Sequence, residues 1–159
     1  MTLTVDVPAN AHTFEHSSVI PTTLDEMIRF HEAPQAFAWL TPPPIFAQVH
    51  RRELKSLTDG ELEFTLWFLV VPVRWLARHE QGPTPHSFQD RMMQGPMAYW
   101  LHRHIFEEVE GGVKLTDRIT LSHKPGIAGL FTRLVFDGLP LRFLFIYRHL
   151  RTRLQVKRL

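Results

Sequence analysis

A two-residue alternation running from His79 to Asp117 constrains this chain more than any other feature. It sends three histidines and two aspartates to the same side as tryptophans and phenylalanines. Trp75, Ala77 and His79 share one side of a predicted strand, and Phe88, Asp90 and Met92 one side of the next. Trp100, His102, His104 and Phe106 follow on a third, and Leu115, Asp117, Ile119 and Leu121 on a fourth. Side chains two apart on a strand point the same way, so each polar residue travels with apolar neighbours toward a core or cavity. An unpaired carboxylate there would cost several kcal/mol or shift its pKa until neutral. These groups must therefore pair with one another, bind water or face something that enters.

With 159 residues the chain fits one domain, residues 1–159, large enough to bury roughly 70% of the surface its unfolded form exposes. Hydrophobic residues at 44% and charged residues at 21% exclude the disordered class. The absence of cysteine excludes a disulfide framework, a thiolate metal site and a cysteine nucleophile, and points to a reducing compartment. Residues 1–20 lack a basic start followed by an apolar run, so no signal peptide is expected. The longest apolar run, Leu66 to Val73, is too short for a transmembrane segment and is interrupted by Pro72. A cytoplasmic location follows as the expectation. The net charge is only +2, yet Arg142, Arg148, Arg151, Arg153, Lys157 and Arg158 fall near the end without one acidic residue between them. Such a tail could touch phosphates, anionic lipid or an acidic protein, or simply solvate the outer face of a terminal helix. No exposed strand interleaves aromatic and basic residues, so nucleic acid is not expected as a partner.

The pattern predicts a first strand near His12 to Ile20, ended by Pro21. Thr23 to Glu26 spell a capping box, opening a helix that stops before Pro34. A second short helix, roughly 34–40, precedes the Pro42-Pro43-Pro44 break. Strands are then expected over 45–54, 61–71, 72–81, 86–94, 98–110 and 113–123. Asp59-Gly60 and Gly111-Gly112 sit where hairpin turns need positive φ, and Gly82-Pro83 and Gly95-Pro96 mark further reversals. Consecutive strands joined by short turns make an antiparallel meander. After Gly126 the period becomes helical, with a kink or division near Gly138 and Pro140.

Strand, two short helices, six strands and a long helix is the order of the helix-grip architecture, an α+β fold. The chain resembles the SRPBCC superfamily, which includes START lipid-transfer domains, birch-pollen-allergen-like proteins and polyketide cyclases. Within it, it is most similar to small bacterial proteins and to a domain fused to epimerase-like nucleotide-sugar enzymes. The residues that carry the resemblance span positions 14–149: Phe30-His31-Glu32-Ala33-Pro34, Leu40-Thr41-Pro42-Pro43, Trp75 with Ala77 and His79, Phe88-Gln89-Asp90, Gly95-Pro96, Trp100 with His102 and His104, Leu115 to Ile119, and Tyr147-Arg148-His149. Met97 replaces the usual phenylalanine after Gly95-Pro96, and Pro44 extends the proline pair. The resemblance implies a curved seven-stranded antiparallel sheet around a long C-terminal helix, enclosing a cavity for a small hydrophobic molecule such as a lipid or polyketide. It implies no universal catalytic residue, no cofactor and no metal, and it raises an epimerase-like protein as a partner.

The polar set His79, Asp90, His102, His104 and Asp117 admits three readings. It can be a buried hydrogen-bond network that orients imidazoles and fixes sheet register. It can be a lining that recognises the polar end of an apolar ligand, together with Trp75, Phe88, Trp100 and Phe106. It can serve acid–base or metal chemistry, with His104 and Asp90 or Asp117 as the first pair for a cyclase or dehydratase, or His102-x-His104 as two imidazole ligands. Tyr99 and Tyr147 are candidate donors, although Tyr99 falls on the face opposite Trp100 and reads as a surface or interface aromatic. Trp67, Phe64 and Phe68 join the aromatic inventory that lines or fills the interior. The run Leu66 to Val71, apolar on both faces, points to a strand covered by a second subunit or an extra segment, and so raises a homodimer. The favoured expectation is a non-enzymatic carrier or sensor of a hydrophobic ligand, with a cyclase-type enzyme or an interaction module beside an epimerase-like partner as alternatives.

Overall fold

The computed structural model describes residues 6–159. Strand β1 (His12–Ile20) leads into α1 (Leu24–Glu32) and the single turn α2 (Ala36–Trp39). Six strands follow: β2 (Phe46–Ser56), β3 (Asp59–Phe68), β4 (Val71–Gln81), β5 (Ser87–Gln94), β6 (Tyr99–Val109) and β7 (Gly112–Ser122). Helices α3 (Gly126–Val135) and α4 (Gly138–Gln155) complete the chain. All seven strands form one antiparallel sheet in the order β1-β7-β6-β5-β4-β3-β2, so only β1 departs from a meander. This is the helix-grip fold.

Local chemistry accounts for the element ends. Thr23 accepts from the Glu26 amide at 3.2 Å and Glu26 accepts from the Thr23 amide at 3.0 Å, closing the expected capping box of α1. The C-terminal helical region divides at Phe136–Asp137, where the Asp137 carboxylate caps Gly138 at 2.8 Å. Pro140 then lies in the first turn of α4, where its missing N–H leaves no helical bond unmade.

Two turns differ from the sequence expectation. The β2–β3 hairpin turns at Leu57-Thr58, with Ser56 opposite Asp59, and Gly60 sits one step later beside a register shift. Its φ of 125° belongs to a bulge, and a Cβ there would lie 2.1 Å from the Glu53 carbonyl oxygen. The apolar run 66–71 is not one strand. It breaks at Leu69-Val70, with Leu69 at φ 58°, and these two residues form a hairpin tip that is 70% and 85% exposed. Phe68 and Val71 pair across that turn, so register outweighed the apolar continuity.

The concave face holds two apolar clusters. One joins Leu62, Phe64, Trp75, Trp100, Leu121, Phe136, Leu141 and Phe145. The other joins Ile20, Met27 and Phe30 of β1 and α1 to Phe88, Phe106, Leu115 and Val156. Along β6 the residues read Trp100 in the first cluster, His102 and His104 between, and Phe106 in the second. The titratable residues thus form a belt across the sheet with an apolar core on each side.

Candidate functional site

Register assembles the belt. His79 pairs with Asp90 and Asp90 with His102, while His104 pairs with Asp117 and Asp117 with His16. Antiparallel Cα partners carry side chains on the same face within reach of one another, so a period-two pattern on separate strands becomes one cluster.

Asp117 is its centre. Its Oδ1 accepts from His102 Nε2 at 2.7 Å and lies 3.0 Å from His104 Nδ1, and its Oδ2 accepts from His149 Nε2 at 2.7 Å. His149 comes from α4, and its Nδ1 lies 2.6 Å from Ser18 Oγ on β1. One carboxylate therefore ties three strands to the terminal helix. Burial alone would raise the Asp117 pKa, but the three imidazole hydrogen bonds outweigh it and hold the carboxyl well below the usual range.

His104 has a carboxylate at each end, with Nε2 3.0 Å from Asp90 Oδ2 and Nδ1 3.0 Å from Asp117 Oδ1. Nε2 donates to Asp90 and Nδ1 makes a close contact with Asp117, so a carboxylate at each end favours the imidazolium over the neutral ring. Desolvation pulls its pKa down, and the bonds to Asp117 and Asp90 prevail and raise it. The ring also stacks on Phe88, with centroids 4.1 Å apart and planes 7° from parallel. His102 goes the other way: burial and the neighbouring His104 charge lower its pKa. Asp90 is held low because the two facing imidazoles, His102 and His104, and the hydrogen bond from His104 overcome its desolvation.

Beside the belt lies a half-enclosed cavity of about 640 Å³. Of the sequence candidates, Trp75, His79, Phe88, Asp90, Trp100, His102 and His104 line it. Phe106 and Asp117 do not. Phe106 is packed in the second apolar cluster with α1, and Asp117 lies behind the two imidazoles it binds. Phe64 and Phe68 contribute wall, whereas Trp67 faces outward and donates to Gln48 at 3.0 Å. Tyr99 is buried instead of exposed, because the outer face of the central strands is covered by long side chains such as Arg91, 3.4 Å from its hydroxyl.

Two lining residues, His31 and Arg148, escaped the candidate list. His31, from α1, donates Nδ1–H to the Met27 carbonyl at 2.9 Å, which leaves the Nε2 lone pair without a donor among the described residues. Burial lowers its pKa to about 3, so it is neutral and a feeble base. His79 repeats the arrangement, with Nδ1 3.0 Å from the Leu57 carbonyl and its pKa lowered by burial. Arg148 of α4 and its neighbour Tyr147 line the opposite wall. The Arg148 guanidinium carbon lies 5.4 Å from the Phe145 ring centroid and has no hydrogen-bonded partner among the described residues, and burial lowers its pKa. The sequence signal for all of these was the pair of resemblance segments around His31 and Arg148, which no strand period could connect to the belt.

Chemically, the site offers apolar walls, a guanidinium with free N–H groups, and two imidazole lone pairs. His104, with Nε2 on Asp90 and Nδ1 against Asp117, turns both nitrogens to carboxylates and none toward the cavity. Asp90, His102 and His104 are close enough to hold a metal ion. Their nitrogens and oxygens already satisfy one another, however, so a metal would have to displace the bonds that make the belt tolerable.

No protein-family model matches the chain, and no curated protein matches it. Solved structures do. A nucleoside-diphosphate sugar epimerase from Corynebacterium glutamicum is 26% identical over 91% of this chain, with a TM-score of 0.67, and the match spans 29% of that longer protein. Ara h 8.0201 is 15% identical with a TM-score of 0.59, covering 87% of this chain and 95% of its own. A protein from Chromobacterium violaceum is 12% identical with a TM-score of 0.66, covering 91% of this chain and 97% of its own.

Proposed function

On a helix-grip scaffold of the SRPBCC kind, we propose that this protein binds a small hydrophobic molecule in its internal cavity as a carrier or sensor, holding the ligand's polar end at the belt. The observation that carries the reading is the contrast between saturated and unsaturated groups. Every belt carboxylate is satisfied by imidazoles, while Arg148, His31 and His79 present unused donors and acceptors to a space walled by Trp75, Trp100, Phe64 and Phe88. A cavity of about 640 Å³ is within the range that encloses one ligand of drug size. Mostly apolar walls with a few placed polar groups favour an amphipathic guest, whose oxygen accepts from Arg148 and whose hydroxyl or amine donates to an imidazole.

The polar belt itself supports a structural role, fixing register and anchoring α4, and the committed state of His104 argues against a cyclase-type mechanism run from that residue. A second reading, an interaction domain acting beside an epimerase-like enzyme in the cytoplasm, is favoured only by the likeness to one segment of the Corynebacterium glutamicum protein. Native mass spectrometry of freshly purified protein separates the two. A retained organic mass released on denaturation supports the carrier. Ligand-free protein that also fails to bind the neutral probe N-phenyl-1-naphthylamine overturns it.

A further inference from the structure

Helix α4 is apolar on two sides. Leu141, Phe145, His149 and Thr152 face the sheet and are buried, as its grip requires. Leu139, Phe143, Ile146, Leu150 and Leu154, spaced by three and four residues, form a second stripe that remains open to solvent. Ile127, Leu130 and Leu134 of α3 extend it, with Ile127 88% and Phe143 68% exposed. The Leu69-Val70 hairpin tip adjoins α3, since Phe68 packs on Phe131 with centroids 6.0 Å apart, and Val71 and Ile127 flank a common groove. Leu134 and Phe143 also line the cavity, so the exposed patch is continuous with its mouth. Monomers rarely leave so much contiguous apolar surface uncovered.

Charge decides what covers it. On the outer face of the sheet most cations are paired, Arg51 with Glu53, Arg74 with Glu63, Arg78 with Glu61, Arg91 with Glu80, and Arg118 with Glu15, while Arg103 donates to the Gln89 amide instead. On the helical side they are not. Lys124 donates to the Gly95 carbonyl, Arg151 to that of Trp39 and Arg153 to that of Val19, all without a counter-charge. Arg133, Arg142, Lys157 and Arg158 are exposed nearby, and residues 138–159 contain no aspartate or glutamate. Two copies meeting through this face would bring basic edges together. An anionic bilayer would meet it with the opposite sign, and an amphipathic helix with basic flanks lies in just such an interface.

We propose that the helical face docks peripherally on an anionic membrane surface, with the α4 stripe, the α3 face and the hairpin tip at the acyl boundary and the cavity mouth turned toward the lipid. No helix of the described residues is long and apolar enough to span, so the contact is superficial. The proposal goes beyond ligand binding and does not depend on it.

The test is co-sedimentation of the full chain with phosphatidylcholine vesicles, with and without phosphatidylglycerol. Partition should be at least roughly tenfold greater onto the mixed vesicles and should fall with added salt. Ile146→Ser with Leu150→Ser, outside the cavity wall, should lower it more than about tenfold, and Arg142→Gln should lower it roughly fivefold. The melting transition checks that each variant folds. Equal or absent binding to both vesicle types overturns the proposal, as does binding insensitive to the double variant. So does a concentration-dependent dimer that the double variant dissolves, which assigns the face to a second copy. N-phenyl-1-naphthylamine binding by the same variants reads the cavity separately, so failure of one proposal is distinguishable from failure of the other.

Discussion

His104 Nδ1 stands 3.0 Å from Asp117 Oδ1, and the two residues are direct Cα partners across β6 and β7. The same imidazole reaches Asp90 through its other nitrogen, and the same aspartate reaches His102 and His149. An imidazole held between two carboxylates at the centre of an apolar sheet face makes the belt an electrostatic unit, whose parts cannot be removed singly without leaving a charge or donor stranded.

Asp117→Asn should therefore be severe. Three imidazoles lose an ionised acceptor at once in a buried setting, and the expected destabilisation is about 3–5 kcal/mol by urea unfolding. Glu63→Gln, which breaks exposed pairs with Arg51 and Arg74 on the outer face, should cost under about 1 kcal/mol. Comparable effects in the two variants would mean the belt has no special weight.

Stability should peak near pH 6.5, the ordinary histidine value. His104 has a raised pKa, so its contribution is complete below 6.5 and is lost as pH climbs through the folded value. His31, with its pKa lowered to about 3, and His79 and His102, lowered in the same direction, stay neutral in the native state while the unfolded chain takes up protons. Their contribution is complete above 6.5 and declines as pH falls below it. Asp90 and Asp117, both lowered, add a further loss below 3.8. Melting temperatures measured across this range should trace a maximum, and a flat profile from pH 4 to 6.5 would contradict the assignment.

Filling the cavity should abolish binding without unfolding the protein. Ala77 is buried in β4 and lines the space between Trp75 and His79, so Ala77→Phe projects a ring into it. Loss of N-phenyl-1-naphthylamine binding with a stability change within about 3 kcal/mol is expected. Retained binding would place the probe elsewhere.

Arg148→Met should separate the polar from the apolar part of recognition. It keeps length and wall contact while removing the donors, so binding of the fluorescent carboxylate parinaric acid should weaken roughly tenfold, the scale of one charge-assisted hydrogen bond. The neutral naphthylamine probe should bind within about twofold of the parent. Equal losses for both probes would point to a packing defect.

Gly60→Ala tests the corrected turn. In the bulge its φ of 125° is hostile to a side chain and the added Cβ would strike the Glu53 carbonyl, so more than about 1 kcal/mol should be lost. Gly111, also at positive φ but with open space around its Cβ position, should suffer only the conformational cost.

The amino-acid sequence carried the element order, the capping box at Thr23, a kink or division of the C-terminal helical region near Gly138, and the inward direction of His79, Asp90, His102, His104 and Asp117. These are consequences of local rules: helical and strand periods, caps and the geometry of proline. It could not place the turn at Leu69-Val70, because apolar residues carry no turn signal and the pairing of Phe68 with Val71 is a tertiary fact. Nor could it tell that Asp117 sits behind the wall while His31, Arg148 and Tyr147 form part of it. Those positions depend on how far the sheet curves and where α1 and α4 rest on it. Only the folded chain brings residues separated by a hundred positions to within a hydrogen bond of one another.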